Sequence, residues 1–90
     1  MRVPKGYKIV ESKHKNKKYD VLKYNPETKQ YHYLLSFGDK RYQQYKDSTP
    51  LKLYSHLDHK NFDRQARYYL RHGLTDDINS AKWWSNNFLW

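Results

Sequence analysis

Two groups of cations and one of imidazoles are the residues here with chemistry to offer. Lys13, His14, Lys15, Asn16, Lys17 and Lys18 place four lysines in six positions. Arg64, Arg67 and Arg71 recur at intervals of three and four, which on a helix is a single stripe. Planar guanidinium forks match phosphate oxygens bidentately, and Tyr68 lies beside that stripe. Lys13, Lys15, Lys17, Lys18, Arg64, Arg67, Tyr68 and Arg71 are therefore the candidate nucleic-acid-binding residues. Each group also has a plainer reading. The lysine run suits an ordinary charged hairpin loop, and the arginines suit a solvated helix face. The choice of arginine over lysine, with no acid on that stripe, favours binding.

His56, Asp58 and His59, with His72 further on, invite a zinc site. There is no Cys, and His56 and His59 precede the helix in a loop. These groups are better read as capping the helix start, with Asp58 near its positive end. Catalytic patterns are absent as well: three Gly make no phosphate-cradling loop, there is no nucleophile elbow, and the one close acid pair, Asp76-Asp77, falls in a linker. No catalytic residue, metal or cofactor is expected.

Eighteen Lys and Arg stand against nine acids, a net charge of +9, so the expected partner is a polyanion, either nucleic acid or an acidic protein surface. The excess is uneven, because the first eighteen residues hold seven Lys or Arg and one Glu. Without Cys, disulfides and thiolate metal sites are excluded and a reducing compartment fits. No apolar run approaches the roughly 18 residues of a membrane span, and no signal-peptide core opens the chain, so a soluble protein not secreted by the usual route is expected.

Ninety residues make one small domain, 1–90. Val, Ile, Leu and Phe supply only 17 of the 90, close to the level at which high charge means disorder. Ten Tyr and three Trp reverse that reading, since each buried ring removes roughly 150–250 Å² from water. Tyr7–Glu11, Lys18–Tyr24 and Gln30–Phe37 read as strands, joined by the lysine-rich loop and by the turn Asn25-Pro26-Glu27-Thr28-Lys29. Asp39–Asp47 suits either one helical turn, through Tyr42 and Tyr45, or an edge strand. Asn61 is a credible N-cap for a helix over Phe62–His72, with Gly73 as its stop. On that helix Phe62, Ala66 and Tyr69 make the apolar side, with Leu70 at its edge. Ser80–Trp90 reads as a short helix opening at Ser80. The predicted fold class is α+β: a three-stranded antiparallel sheet, one amphipathic helix and an aromatic C-terminal segment packed across them.

The rings then divide between core and surface. Strict alternation puts Tyr31, Tyr33, Leu35 and Phe37 on one face of the third strand. Exposed sheet aromatics can stack bases, but so few aliphatics make these rings better core candidates. His32, Leu34 and Ser36 on the other face offer little. Trp83, Trp84 and Trp90 either complete the core or dock into a partner.

Four stretches stand out: Ser36-Phe37-Gly38-Asp39-Lys40-Arg41-Tyr42 with Gln44-Tyr45-Lys46-Asp47, Tyr54-Ser55-His56-Leu57-Asp58-His59, Tyr68…Arg71-His72-Gly73, and Ser80-Ala81-Lys82-Trp83…Leu89-Trp90. Together they resemble a family of small uncharacterised basic proteins from large DNA viruses of algae and amoebae and from environmental viral sequences. The similarity covers roughly residues 31–90. This chain has Arg64-Gln65 where relatives carry paired arginines. The resemblance implies a viral source and nothing catalytic. The expected function is thus a non-enzymatic, virion-associated protein contacting nucleic acid through phosphates without regard to sequence. The alternative is a minor capsid or cement protein bridging capsid subunits through its aromatic C-terminus.

Overall fold

The structure is a computed structural model and describes residues 2–90. Three strands, β1 (Tyr7–Glu11), β2 (Lys17–Asn25) and β3 (Gln30–Asp39), form an antiparallel sheet in the order β1-β2-β3. A 3-10 turn at Ser55–Leu57 and two helices, α1 (Phe62–His72) and α2 (Ala81–Phe88), complete an α+β fold. Among the described residues no helix is long and apolar enough to cross a membrane.

The local signals work as physics requires. Asn25 Oδ1 accepts from the Glu27 amide at 2.9 Å, closing the β2–β3 turn. Asn61 Oδ1 accepts from the Arg64 amide at 3.1 Å, and Gly73, at φ +69°, stops α1 in a conformation that side chains disfavour. Ser80 caps α2 through the Trp83 amide. Beyond Asp39, the last residue of β3, the stretch to Asp47 is neither helix nor edge strand. It runs irregularly, with a parallel bridge between Gln44 and Asp58 and backbone bonds from Lys46 N to Leu89 O and from Lys60 N to Tyr45 O.

The core lies between the inner face of the sheet and α2. Ile9, Tyr19, Val21 and Phe37 meet Trp84, Phe88 and Leu89 there. Trp84 and Phe88 stack at 11° with centroids 5.6 Å apart, and Phe37 packs against both. The end of α2 comes so close to β3 that a Cβ on Gly38 would lie 2.9 Å from Leu89 Cδ1 and 3.0 Å from Lys18 Cδ, and Gly38 also holds φ +77°. Under the core, buried Asp47 accepts from the Tyr19 hydroxyl (2.5 Å), the Thr49 amide and hydroxyl (3.0 and 2.6 Å) and the Tyr54 amide (3.1 Å). That carboxylate supplies the hydrogen bonds the irregular segment lacks as secondary structure.

Two expectations about faces are corrected. In β3, Val21 pairs with Leu35 but Leu22 with Tyr33, so Leu34 is an extra residue, a β-bulge. One inserted residue exchanges the faces beyond it. Phe37 and Leu35 stay inward, whereas Tyr33 and Tyr31 turn outward beside Ser36 and Tyr24. They are exposed, not core. In α1, Phe62 and Ala66 of the expected apolar side are exposed, as is Leu70 at its edge; Tyr69 docks as expected, and Gln65 and Tyr68 dock with it. The reason lies in α2. Its Asn86 accepts from the Tyr68 hydroxyl at Oδ1 (2.8 Å) and from the Tyr69 hydroxyl at its carbonyl (3.0 Å), while its amide donates to Gly73 O. Hydrogen-bonded tyrosines outweigh the plain apolar stripe.

Candidate functional site

Helix α1 and the C-terminal end of β3 enclose an open cleft of about 680 Å³. Lys17 at the start of β2, Arg64 and Arg71 on α1, and Lys82 on α2 line it, with His72 at its side. Its acid, Asp39, is occupied. Asp39 takes two guanidinium hydrogen bonds from Arg41, at 3.0 and 2.8 Å, which hold its carboxyl down at about 2. A smaller groove of about 280 Å³, bounded by Arg64, Arg67, Arg71 and Trp90, continues over α1. Arg64 is held by Gln43 at 2.7 Å, and the Gln65 amide ties the Trp90 carbonyl to the same helix at 2.6 Å. Lys17 thus shares the cleft with Arg64 and Arg71, and Arg67 joins those two arginines in the adjoining groove.

The lysine loop is fixed from beneath. Buried Asp20 accepts from Ser12 Oγ and Ser36 Oγ, both at 2.6 Å, from the Lys13 amide at 3.4 Å, and faces His14 Nδ1 at 3.1 Å. Burial alone would raise the Asp20 carboxyl, but these donors together hold it below the usual carboxylate range. The cluster superficially resembles a nucleophilic triad, but its geometry is different: Ser36 donates to Asp20, and Ser36 and Asp20 approach the same His14 nitrogen. It is a clasp that pins the loop to the sheet, leaving Lys13, Lys15 and Lys17 in solvent.

Two members of the expected site turn inward. Lys18 is 2% exposed, and its ammonium donates to the Tyr42 carbonyl at 2.9 Å and to Gln44 Oε1. Burial lowers its pKa to about 8, with Asp47, Asp39 and Asp58 opposing. An amine so enclosed supports the fold and is not free to neutralise phosphate. Tyr68 is likewise removed from the surface. Its ring stacks on Trp90 at 4° and 4.3 Å, and burial pushes its hydroxyl up to about 12. Of the tryptophans expected to dock a partner, Trp84 is fully buried and donates from its indole to Ile78 O (2.7 Å), whereas Trp83 and Trp90 are half-buried.

The imidazoles are dispersed. His56 packs beside Tyr54, His59 lies between Tyr45 and Trp90, and His72 packs at a tilt on Tyr68, with centroids 4.5 Å apart. Asp58 does not cap α1; its Oδ1 accepts from Gln44 Nε2 (2.6 Å) and the Asp47 amide (2.8 Å). Among the described residues no three His, Asp or Glu converge as metal ligands.

On the outer face of the sheet Tyr24, Tyr31 and Tyr33 are 38%, 43% and 52% exposed. Sequence reasoning assigned Tyr31 and Tyr33 to the core and overlooked Tyr24, and it passed over Lys82 as a cleft cation. A lone lysine before two tryptophans carries no periodic signal, and the bulge has no turn residue to announce it. The chain matches none of the protein-family models, curated proteins or solved structures compared with it.

Proposed function

We propose that this chain is a non-enzymatic basic protein that grips nucleic acid by its phosphates, without regard to sequence. The observation that carries the reading is the convergence of Lys17, Arg64, Arg71 and Lys82 on one open cleft whose acid is already paired with Arg41. Arg67 extends the positive surface into the adjoining groove, and Lys13 and Lys15 are exposed on the loop that leads into Lys17. Guanidinium groups on a helix present forks at fixed spacing, so they can bridge successive phosphates. A virion setting is part of the proposal and rests on the sequence resemblance alone. Capsid bridging through the C-terminal rings draws less support, because Trp84 is sealed in the core and Trp90 is engaged with Tyr68.

Fluorescence anisotropy with a labelled oligonucleotide at low salt tests the proposal. R64Q/R67Q/R71Q should weaken binding at least tenfold while leaving the melting temperature within a few degrees, since these side chains face solvent or the cleft. Undetectable binding by the unmodified chain refutes the reading.

A further inference from the structure

We propose that the outer face of the sheet is a base-stacking platform and that the preferred ligand is single-stranded nucleic acid. The inference rests on the phosphate-binding reading of the cleft and names its substrate class. Tyr24 and Tyr31 face each other across β2 and β3, edge to face, with centroids 5.3 Å apart. Tyr33 follows two residues along β3, where outward positions repeat about every 6.6 Å. That is roughly twice the 3.4 Å rise of stacked bases, so the spacing admits a base between neighbouring rings. Exposed rings in a core-poor chain are costly to leave in water. Strict alternation would have put Tyr31 and Tyr33 on the core face with Phe37, yet the bulge at Leu34 turns both out beside Tyr24.

The surroundings carry the matching charge. Lys8 Nζ stands 5.2 Å over the Tyr31 ring, and His14 packs against Tyr33 at 4.7 Å. The clasp on Asp20 fixes His14 against Tyr33, and its two neighbours in the chain, Lys13 and Lys15, are exposed. Asp20 itself is buried with its oxygens occupied, so it adds little repulsion. Ser36 joins the two surfaces: its hydroxyl bonds the Tyr33 hydroxyl at 2.8 Å, and it also lines the cleft beside Lys17. A strand lying along β3, at the open edge of the sheet, would pass from the tyrosines to the cations of the cleft. Duplex bases are already stacked on one another and present only edges and phosphates. Splayed single-stranded bases offer their faces to aromatic rings.

The test compares the full chain with Y31L/Y33L and Y31F/Y33F on a labelled oligothymidine of about 12 nucleotides and on a duplex of equal length. One stacked ring is worth roughly 5- to 150-fold in affinity. The leucine pair should therefore lose at least about 25-fold on the single strand and almost nothing on the duplex. The phenylalanine pair, which keeps both π-faces and lacks the hydroxyls, should bind as the unmodified chain does. Single-strand binding unchanged in Y31L/Y33L, equal losses on both ligands, or a Phe pair as weak as the Leu pair would each overturn the platform while leaving the phosphate cleft intact. Failure of the unmodified chain to bind either ligand would sink both.

Discussion

The amine of Lys18 makes folding stability depend on alkaline pH in a specific way. Folded, it sits among Tyr42 O and Gln44 Oε1, and burial holds its pKa at about 8 against an ordinary 10.5. Between those two values the unfolded chain binds the proton and the folded chain does not, so stability rises with pH across that window. From pH 7 to about 9.5 the gain from this one group is about 2 kcal/mol, at 1.36 kcal/mol per unit of differential protonation. Tyr19 and Tyr68 act in the opposite sense. Burial pushes both hydroxyls above 10, so their contribution is complete below pH 10 and is lost as pH rises through the folded values. At about pH 9.5 they subtract only a few tenths of a kcal/mol. Urea unfolding followed by tryptophan fluorescence should therefore show a higher midpoint at pH 9.5 than at pH 7. K18M keeps the stem that packs on Gly38 and removes the titrating group, and its midpoint should not rise. A flat profile in the unmodified chain, or an equal rise in K18M, would refute the reasoning.

Two substitutions examine the packing that positions the cleft. G38A forces a side chain into φ +77° and against Leu89 and Lys18, and should cost about 2–4 kcal/mol, read as a lower urea midpoint. D47A strands the Tyr19 hydroxyl and the Thr49 and Tyr54 amides. It should cost about 3–5 kcal/mol, whereas D47N, retaining one acceptor oxygen, should cost less in the same assay.

Elements with local signals were legible in the sequence. The Asn25–Lys29 turn, the Asn61 cap and Gly73 stop of α1, and the Ser80 cap of α2 each depend on a residue bonding its own neighbours. The three strands followed from the spaces between those punctuation marks. Faces were harder to read. A bulge at Leu34 shifts the alternation by one residue, and nothing in Tyr31–Phe37 marks which residue is extra. Along α1 the apolar side Phe62, Ala66 and Tyr69, edged by Leu70, kept only Tyr69 at the dock, because Asn86 and Trp90, some twenty residues later, selected the tyrosines. Lys18 reads as one more lysine of a basic loop. Its burial follows from Gln44 and the carboxylates of Asp39, Asp47 and Asp58, none of which is adjacent in sequence. The arginine stripe survived because a three-and-four spacing on a capped helix fixes a common face whichever side docks.

Salt dependence tests the central claim most directly, because counterion release registers phosphate contact and little else. With oligonucleotide affinity measured by anisotropy between about 50 and 200 mM salt, log K should fall linearly with log salt, by about 0.7 per phosphate for a single strand. Engagement of Lys17, Arg64, Arg71 and Lys82 predicts a slope near −3, and R64Q/R67Q/R71Q should flatten it by roughly 1.4 to 2.1, two to three phosphates' worth. A slope near zero, or one that the arginine substitutions leave unchanged, would contradict the account.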